Sequence, residues 1–111
     1  MIADLDGNSY SEIYFGGEDD KLHGYMIAGM TQYGFPFECG GNVRSSPAGG
    51  DVDGDGDNEI VFGSHDGNLY IVSTSGIQEL AYTQAGYIVG APALFDLDGD
   101  EDLEIIFTTQ N

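Results

Sequence analysis

One nine-residue motif occurs three times in this chain and limits what it can fold into. It stands at Asp4-Leu5-Asp6-Gly7-Asn8-Ser9-Tyr10-Ser11-Glu12, at Asp51-Val52-Asp53-Gly54-Asp55-Gly56-Asp57-Asn58-Glu59 and at Asp96-Leu97-Asp98-Gly99-Asp100-Glu101-Asp102-Leu103-Glu104. Each copy runs directly into an apolar triplet: Ile13-Tyr14-Phe15, Ile60-Val61-Phe62 and Ile105-Ile106-Phe107. The copies start 47 and then 45 residues apart. A fixed period of this length means one supersecondary unit per period, with neighbouring units stacked to bury what a single unit cannot.

The rest of each period reads as β-structure. No stretch carries a 3.6-residue apolar pattern, and 18 glycines with Asp-Gly and Asn-containing breaks punctuate short β-branched or aromatic runs. Strands are expected over 12–15, 22–28 and 35–39 in the first unit, and over 59–62, 69–73 and 78–83 in the second. Residues 91–95 lead into the third loop and 104–108 lead out of it. The turn 64–68 is of the Asp-Gly hairpin type. Pro47 and Pro92 each stand four residues before a loop's first Asp, on the entering strand, where a missing N–H is best tolerated at the strand start.

Four short strands per period of 40–50 residues is the pattern of β-propeller blades. The expected fold is all-β: blades of four antiparallel strands, about two and a third of them, within a larger ring or assembly. The repeat units are about 1–47, 48–92 and 93–111, parts of one propeller. The strands flanking the third loop are apolar enough to suggest burial on both faces between neighbouring blades. Both ends cut the repeat mid-unit, so an excerpt of a longer protein is the expectation; three copies closing into one ring is the lesser alternative.

Charge narrows the function. The formal net charge is −18, with two basic residues, Lys21 and Arg44, against 20 acidic ones. Nucleic acid is excluded as a default partner, because phosphate binding needs clustered Lys and Arg. The three loops hold 3, 5 and 6 of the acidic residues, 14 in all. A solvated acidic surface spreads its charges, so this clustering costs stability unless a cation offsets it. Calcium takes six to eight oxygen ligands and suits carboxylates at alternate positions of a tight loop. Side chains at positions 1, 3, 5 and 9 and the carbonyl at position 7 form the expected ligand set. Copy two then offers Asp51, Asp53, Asp55, Glu59 and the Asp57 carbonyl. The helix-flanked calcium loop is excluded, because its position 12 must be Glu and is Phe in all three copies. The alternative is a set of acidic turns in which Asp serves only as an Asx-turn former.

The run Ser46-Pro47-Ala48 followed by Asp51-x-Asp53-x-Asp55-Gly56-x-x-Glu59-Ile60-Val61-Phe62-Gly63 resembles the calcium-binding repeat of FG-GAP and VCBS-type β-propellers. These are the blades of integrin α-subunits and of many secreted bacterial proteins. The resemblance covers essentially the whole chain. It implies a loop between the first two strands of each blade and up to three Ca²⁺, one per loop. By position it implies Asp4, Asp6, Asn8, Glu12 and the Tyr10 carbonyl in copy one, and Asp96, Asp98, Asp100, Glu104 and the Asp102 carbonyl in copy three. Departures are Ser9 and Glu101 where copy two has Gly56, and Thr108 where the others have Gly16 and Gly63. With three Ca²⁺ the net charge would fall from −18 to −12.

The function expected is a calcium-stabilised extracellular or cell-surface module for structural support and adhesion, with a protein or carbohydrate ligand. It is not expected to be an enzyme itself. A fragment of a secreted polysaccharide-active enzyme, or a protomer of an extracellular filament or surface layer, are the alternatives, and incomplete blades allow self-association. No segment has the roughly 20 apolar residues of a membrane span. His23, His65, Asp19 and Asp66 read as hairpin-turn residues and Cys39 as an apolar strand filler. Arg44 is expected beside an acidic loop, and most tyrosines between blades.

Overall fold

The structure is a computed structural model that describes residues 1–83, 86–88 and 90–110. Among them there is no helix. Ten strands form three antiparallel sheets in chain order. The first blade comprises β1 (Ile2–Ala3), β2 (Glu12–Gly16), β3 (Lys21–Met26) and β4 (Phe37–Glu38). The second comprises β5 (Ala48–Gly50), β6 (Glu59–Gly63), β7 (Asn68–Ser73) and β8 (Gln78–Thr83). A third begins as the hairpin β9 (Ala93–Phe95) and β10 (Glu104–Ile106). Each acidic motif is the connection between the first and second strand of its blade. Pro47 and Pro92 stand one residue before β5 and β9, where no ladder bond is asked of them.

Register makes the repeat quantitative. Gly16 pairs with Leu22 in blade one and Gly63 with Leu69 in blade two. Ile13, Phe15, His23 and Tyr25 therefore occupy the positions of Ile60, Phe62, Tyr70 and Val72. The cores lie between sheets rather than within them. Tyr14, Leu22, Phe35 and Val43 of the first unit, with Leu5 from its loop, close over Ile60, Phe62, Tyr70 and Val72 of blade two. On the other face of blade two, Val61, Leu69, Ile71 and Ile88 meet Leu94, Ile105 and Phe107 of blade three. All five residues of β6 are buried. Its three apolar side chains, Ile60, Val61 and Phe62, each contribute about 1.5–3 kcal/mol relative to an exposed one.

A segment crossing from one blade to the next holds the sheets in place. Residues 40–43 run along the β6–β7 turn: Gly40 N–H donates to Asp66 Oδ2 (3.0 Å), Ser64 Oγ to the Gly41 carbonyl (3.0 Å) and His65 N–H to the Asn42 carbonyl (2.9 Å). Val43 then turns back under blade one, its N–H bonded to the Gly17 carbonyl (2.9 Å). A Cβ at Gly16 would lie 2.8 Å from Val43 Cβ, and one at Gly63 would lie 2.5 Å from Ile88 Cβ. These glycines end the strand after each acidic loop because the inter-blade segment lies where a side chain would be.

Several expectations change. Blade three is not buried on both faces: Phe95 is 59% and Ile106 44% exposed, since among the described residues blade two alone covers it. The strand expected at 35–39 shortens to Phe37–Glu38, and Pro36 offers no N–H for a longer ladder. Inter-blade packing accounts for Tyr14 and Tyr70, but Tyr10, Tyr33, Tyr82 and Tyr87 are more than half exposed. Arg44 pairs with Glu18 in the β2–β3 turn (2.9 Å), not with an acidic loop. His23 lies within β3, where it meets Asp19 at 2.9 Å. The expected strand at 91–95 begins at Ala93.

Candidate metal centres

The three loops fold alike because the same hydrogen bonds close each of them. The position-1 carboxylate takes the N–H groups of positions 4 and 6: Asp4 from Gly7 and Ser9, Asp51 from Gly54 and Gly56, Asp96 from Gly99 and Glu101, all at 2.7–2.9 Å. Position 3 takes the N–H of position 5, at 3.1 Å from Asp6, Asp53 and Asp98 alike. Position 5 takes the N–H of position 7: Asn8 from Tyr10, Asp55 from Asp57, Asp100 from Asp102. These are Asx-type closures, which only a short side-chain oxygen can make.

Position 9 reaches back across the loop. Glu12, Glu59 and Glu104 accept the N–H of Leu5 (3.1 Å), Val52 (2.9 Å) and Leu97 (2.5 Å). The backbone reverses at positions 4 and 6, both left-handed in every copy. Position 4 is Gly7, Gly54 or Gly99 (φ 77–79°), and position 6 is Ser9 (73°), Gly56 (93°) or Glu101 (76°).

This folding gathers carboxylate oxygens. Asp51, Asp53, Asp55 and Glu59 each bring one to within 4.8 Å of the others; so do Asp96, Asp98, Asp100 and Glu104, and in loop one Asp4, Asp6 and Glu12. The acidic residues expected at positions 1, 3, 5 and 9 thus converge, with Asn8 of loop one outside that set. The donor set, all oxygen and anionic, fits a hard divalent cation. In loop two the backbone donors engage Asp53 Oδ1, Asp55 Oδ1 and Glu59 Oε2, and no donor among the described residues reaches the second oxygen of each. Loop one differs: Asn8 Nδ2 donates to Asp6 Oδ2 (3.0 Å) and Gln32 Nε2 approaches it at 3.5 Å. Tyr10, Asp57 and Asp102 are held at position 7 through their N–H groups.

The family follows from these loops and the strands they join. The profile described as FG-GAP-like repeat matches residues 51–107, just over half of the chain. The chain belongs to the FG-GAP-like repeat family. No curated protein sequence matches it. The Phe-Gly pairs of these FG-GAP-like repeats, Phe15-Gly16 and Phe62-Gly63, thereby gain a packing role: in blade two the Phe fills the inter-blade core, and in both the Gly admits the crossing segment.

Electrostatics set two of the position-9 glutamates, Glu12 and Glu59, apart. Glu12 and Glu59 are each 1% exposed. Burial pushes both carboxyls above their usual range; the Leu5 or Val52 N–H opposes this, and neighbouring loop carboxylates add to it. For Asp53 the Asp55 N–H favours ionisation, but desolvation and the charges of Asp55 and Asp51 outweigh it and the carboxyl titrates high. Glu79 on β8 is raised by burial and then by Asp53, Asp55 and Asp57. Sequence spacing gave no sign of Glu79 or Gln32, because each reaches its loop through strand pairing or a long turn.

Proposed function

We propose that this FG-GAP-like module is a calcium-stabilised β-propeller segment of an extracellular or cell-surface protein, serving structural support and the binding of a protein or carbohydrate ligand. The observation that carries the calcium reading is the convergence of carboxylates, in three loops built alike, in a chain of net charge −18. Bound Ca²⁺ would offset two negative charges in each loop and take oxygens of the converging carboxylates as ligands. Asp51, Asp53, Asp55 and Glu59 would ligate by side chain and Asp57 by carbonyl. The corresponding sets are Asp4, Asp6, Asn8, Glu12 and Tyr10, and Asp96, Asp98, Asp100, Glu104 and Asp102. The chain's own work is to hold these groups at fixed separation on the connection between two strands of a blade.

A metal held at 100 times its dissociation constant stabilises the folded chain by about 2.7 kcal/mol per site. Thermal melts in calcium and in excess chelator test this directly. An unchanged melting temperature would refute the calcium reading.

A non-catalytic role is part of the same proposal, and hydrolysis of a glycan panel by this chain would overturn it. Self-association is favoured by one specific observation. Phe15, with His23 and Tyr25 stacked beside it at 5.2 and 5.8 Å, is 44% exposed, whereas its counterpart Phe62 is covered completely by blade one. Light scattering that finds only monomer at high concentration would remove that part.

A further inference from the structure

Loops one and two touch through one long-range hydrogen bond. Asn58 Nδ2, at position 8 of loop two, donates to the Leu5 carbonyl, at position 2 of loop one, over 2.9 Å. Leu5 stands between Asp4 and Asp6, the first two carboxylates of the loop-one cluster. Its peptide is gripped on both sides, because its N–H donates to Glu12 Oε2 (3.1 Å). Its side chain is buried against blade two, where a Cβ on Gly49 of β5 would lie 2.8 Å from Leu5 Cδ1. Asn58 in turn sits between Asp57 and Glu59, and Glu59 closes the loop-two cluster.

The junction between loops two and three is built differently. Position 8 of loop three is Leu103, which has no side-chain donor, and it contributes packing alone: a Cβ on Gly50 would lie 3.0 Å from Leu103 Cδ1. The amide bridge is therefore a property of the first junction among the described residues.

We propose that Asn58 is a positioning residue for the loop-one site, so that ordering of loop two by its cation raises the cation affinity of loop one. This rests on the calcium reading above. The physical link is short: fixing Glu59 fixes Asn58, Asn58 fixes the Leu5 peptide, and that peptide sets the separation of Asp4 and Asp6. A net hydrogen-bond contribution of this kind corresponds to a coupling of about fivefold in affinity. Direct repulsion between the two cations opposes it and does not depend on the Asn58 amide.

The test uses terbium(III) as the probe ion, with loop three disabled by Asp98→Asn and Asp100→Asn. Tyr10 lies inside loop one, while loops two and three carry Asp57 and Asp102 at that position, so tyrosine-sensitised terbium emission that is lost in Tyr10→Phe reports loop one. Loop-one affinity is measured with loop two intact and with Asp53→Asn and Asp55→Asn, each in the Asn58 and Asn58→Leu backgrounds. The expected result is weaker loop-one binding on disabling loop two when Asn58 is present, an effect that differs by about fivefold from that in the Leu background, where only the loss of cation repulsion remains. Equal dependence on loop two in both backgrounds, or none in either, overturns the coupling. Calorimetry with calcium on the unmodified chain separates the two levels: no binding there refutes the calcium reading, and the coupling with it.

Discussion

Gly63→Ala tests the account of how blades stack. The backbone at Gly63 has no positive φ, so an alanine there brings no left-handed strain. What it brings is a methyl carbon 2.5 Å from Ile88 Cβ, closer still to Ile88 Cγ2, and 3.4 Å from the Ile88 carbonyl. Ordinary contact begins near 3.4 Å, so Ile88 must move by about 1 Å. It is fully buried among Val61, Leu69 and Ile71 and has little room. Overpacking of this kind costs about 1–3 kcal/mol, and losing the Ile88 side chain from the core outright costs a similar amount. The smaller unfolded-state entropy of Ala returns about 0.4–1 kcal/mol. The net expectation is about 1.3 kcal/mol, or a fall of about 6 °C in melting temperature for a chain of this size. Urea titration with calcium saturating is the assay. Ile88→Ala removes Cγ2, the nearest obstructing atom, and leaves only Cβ to be accommodated, so the double variant should be less destabilised than the sum of the singles by at least about 1 kcal/mol. Additive losses, or a neutral Gly63→Ala, would refute the packing argument.

Other expectations follow from contrasts between the repeats. Glu101 holds a left-handed φ of 76° where loop two has glycine, so Glu101→Gly should stabilise by about 0.5–1 kcal/mol in the metal-free chain; loss of stability on denaturant titration would contradict the assignment of strain. Asp66 accepts from Tyr70 Oη (2.5 Å), Gly40 N–H (3.0 Å) and Asn68 N–H (2.8 Å), so Asp66→Ala should cost about 2–3 kcal/mol. Asp19, its register counterpart, makes an exposed pair with His23, and Asp19→Ala should leave stability nearly unchanged, so comparable losses would contradict the inter-blade role of Asp66. Glu12 and Glu59 have folded pKa values above their ordinary 4.5, raised first by burial, so the folded chain binds more protons than the unfolded one just above that range. Metal-free protein should accordingly gain stability as pH falls from 7 toward 4.5. Asp66 acts in the opposite sense: burial raises its carboxyl, but the Tyr70 hydroxyl and backbone donors hold it below its ordinary 3.8, and that contribution is lost in stronger acid. A melting temperature that falls steadily from pH 7 to 5 in metal-stripped protein would contradict this.

Much of the site was legible because it is local. Asp51, Asp53, Asp55 and Glu59 lie within nine residues, and their spacing alone brings them together once the loop turns at Gly54 and Gly56. The blade was legible for the same reason: hairpins of consecutive strands follow from turns and alternation. Burial was not. Phe15 and Phe62 occupy the same place in the same motif, yet one is 44% exposed and the other fully buried, because burial depends on the sheet packed against each. Asn58, Gln32 and Arg44 were opaque for a related reason, since each finds its partner across a turn or a blade boundary. The role of Gly16 and Gly63 belongs here too, because the segments they admit, at Val43 and Ile88, arrive 27 and 25 residues later.

Position 9 separates a metal site from an acidic turn. Asx closure explains carboxylate or amide groups at positions 1, 3 and 5, since each accepts a backbone N–H there. It does not require an acid at position 9. The bond that Glu59 accepts from Val52 N–H would be made as well by a glutamine, without a buried charge beside Asp53 and Asp55. In a loop that never meets a cation, a buried glutamate here only costs stability, and both Glu12 and Glu59 bear that cost. Glu59→Gln should therefore act with opposite sign in two conditions: stabilising in metal-free protein, where it removes repulsion and keeps the hydrogen bond, and destabilising in calcium, where it removes an anionic ligand. Melts with chelator and with calcium compare the two directly. The same sign in both would mean that the loops are turns that happen to be acidic, and that their charge answers to something other than a metal.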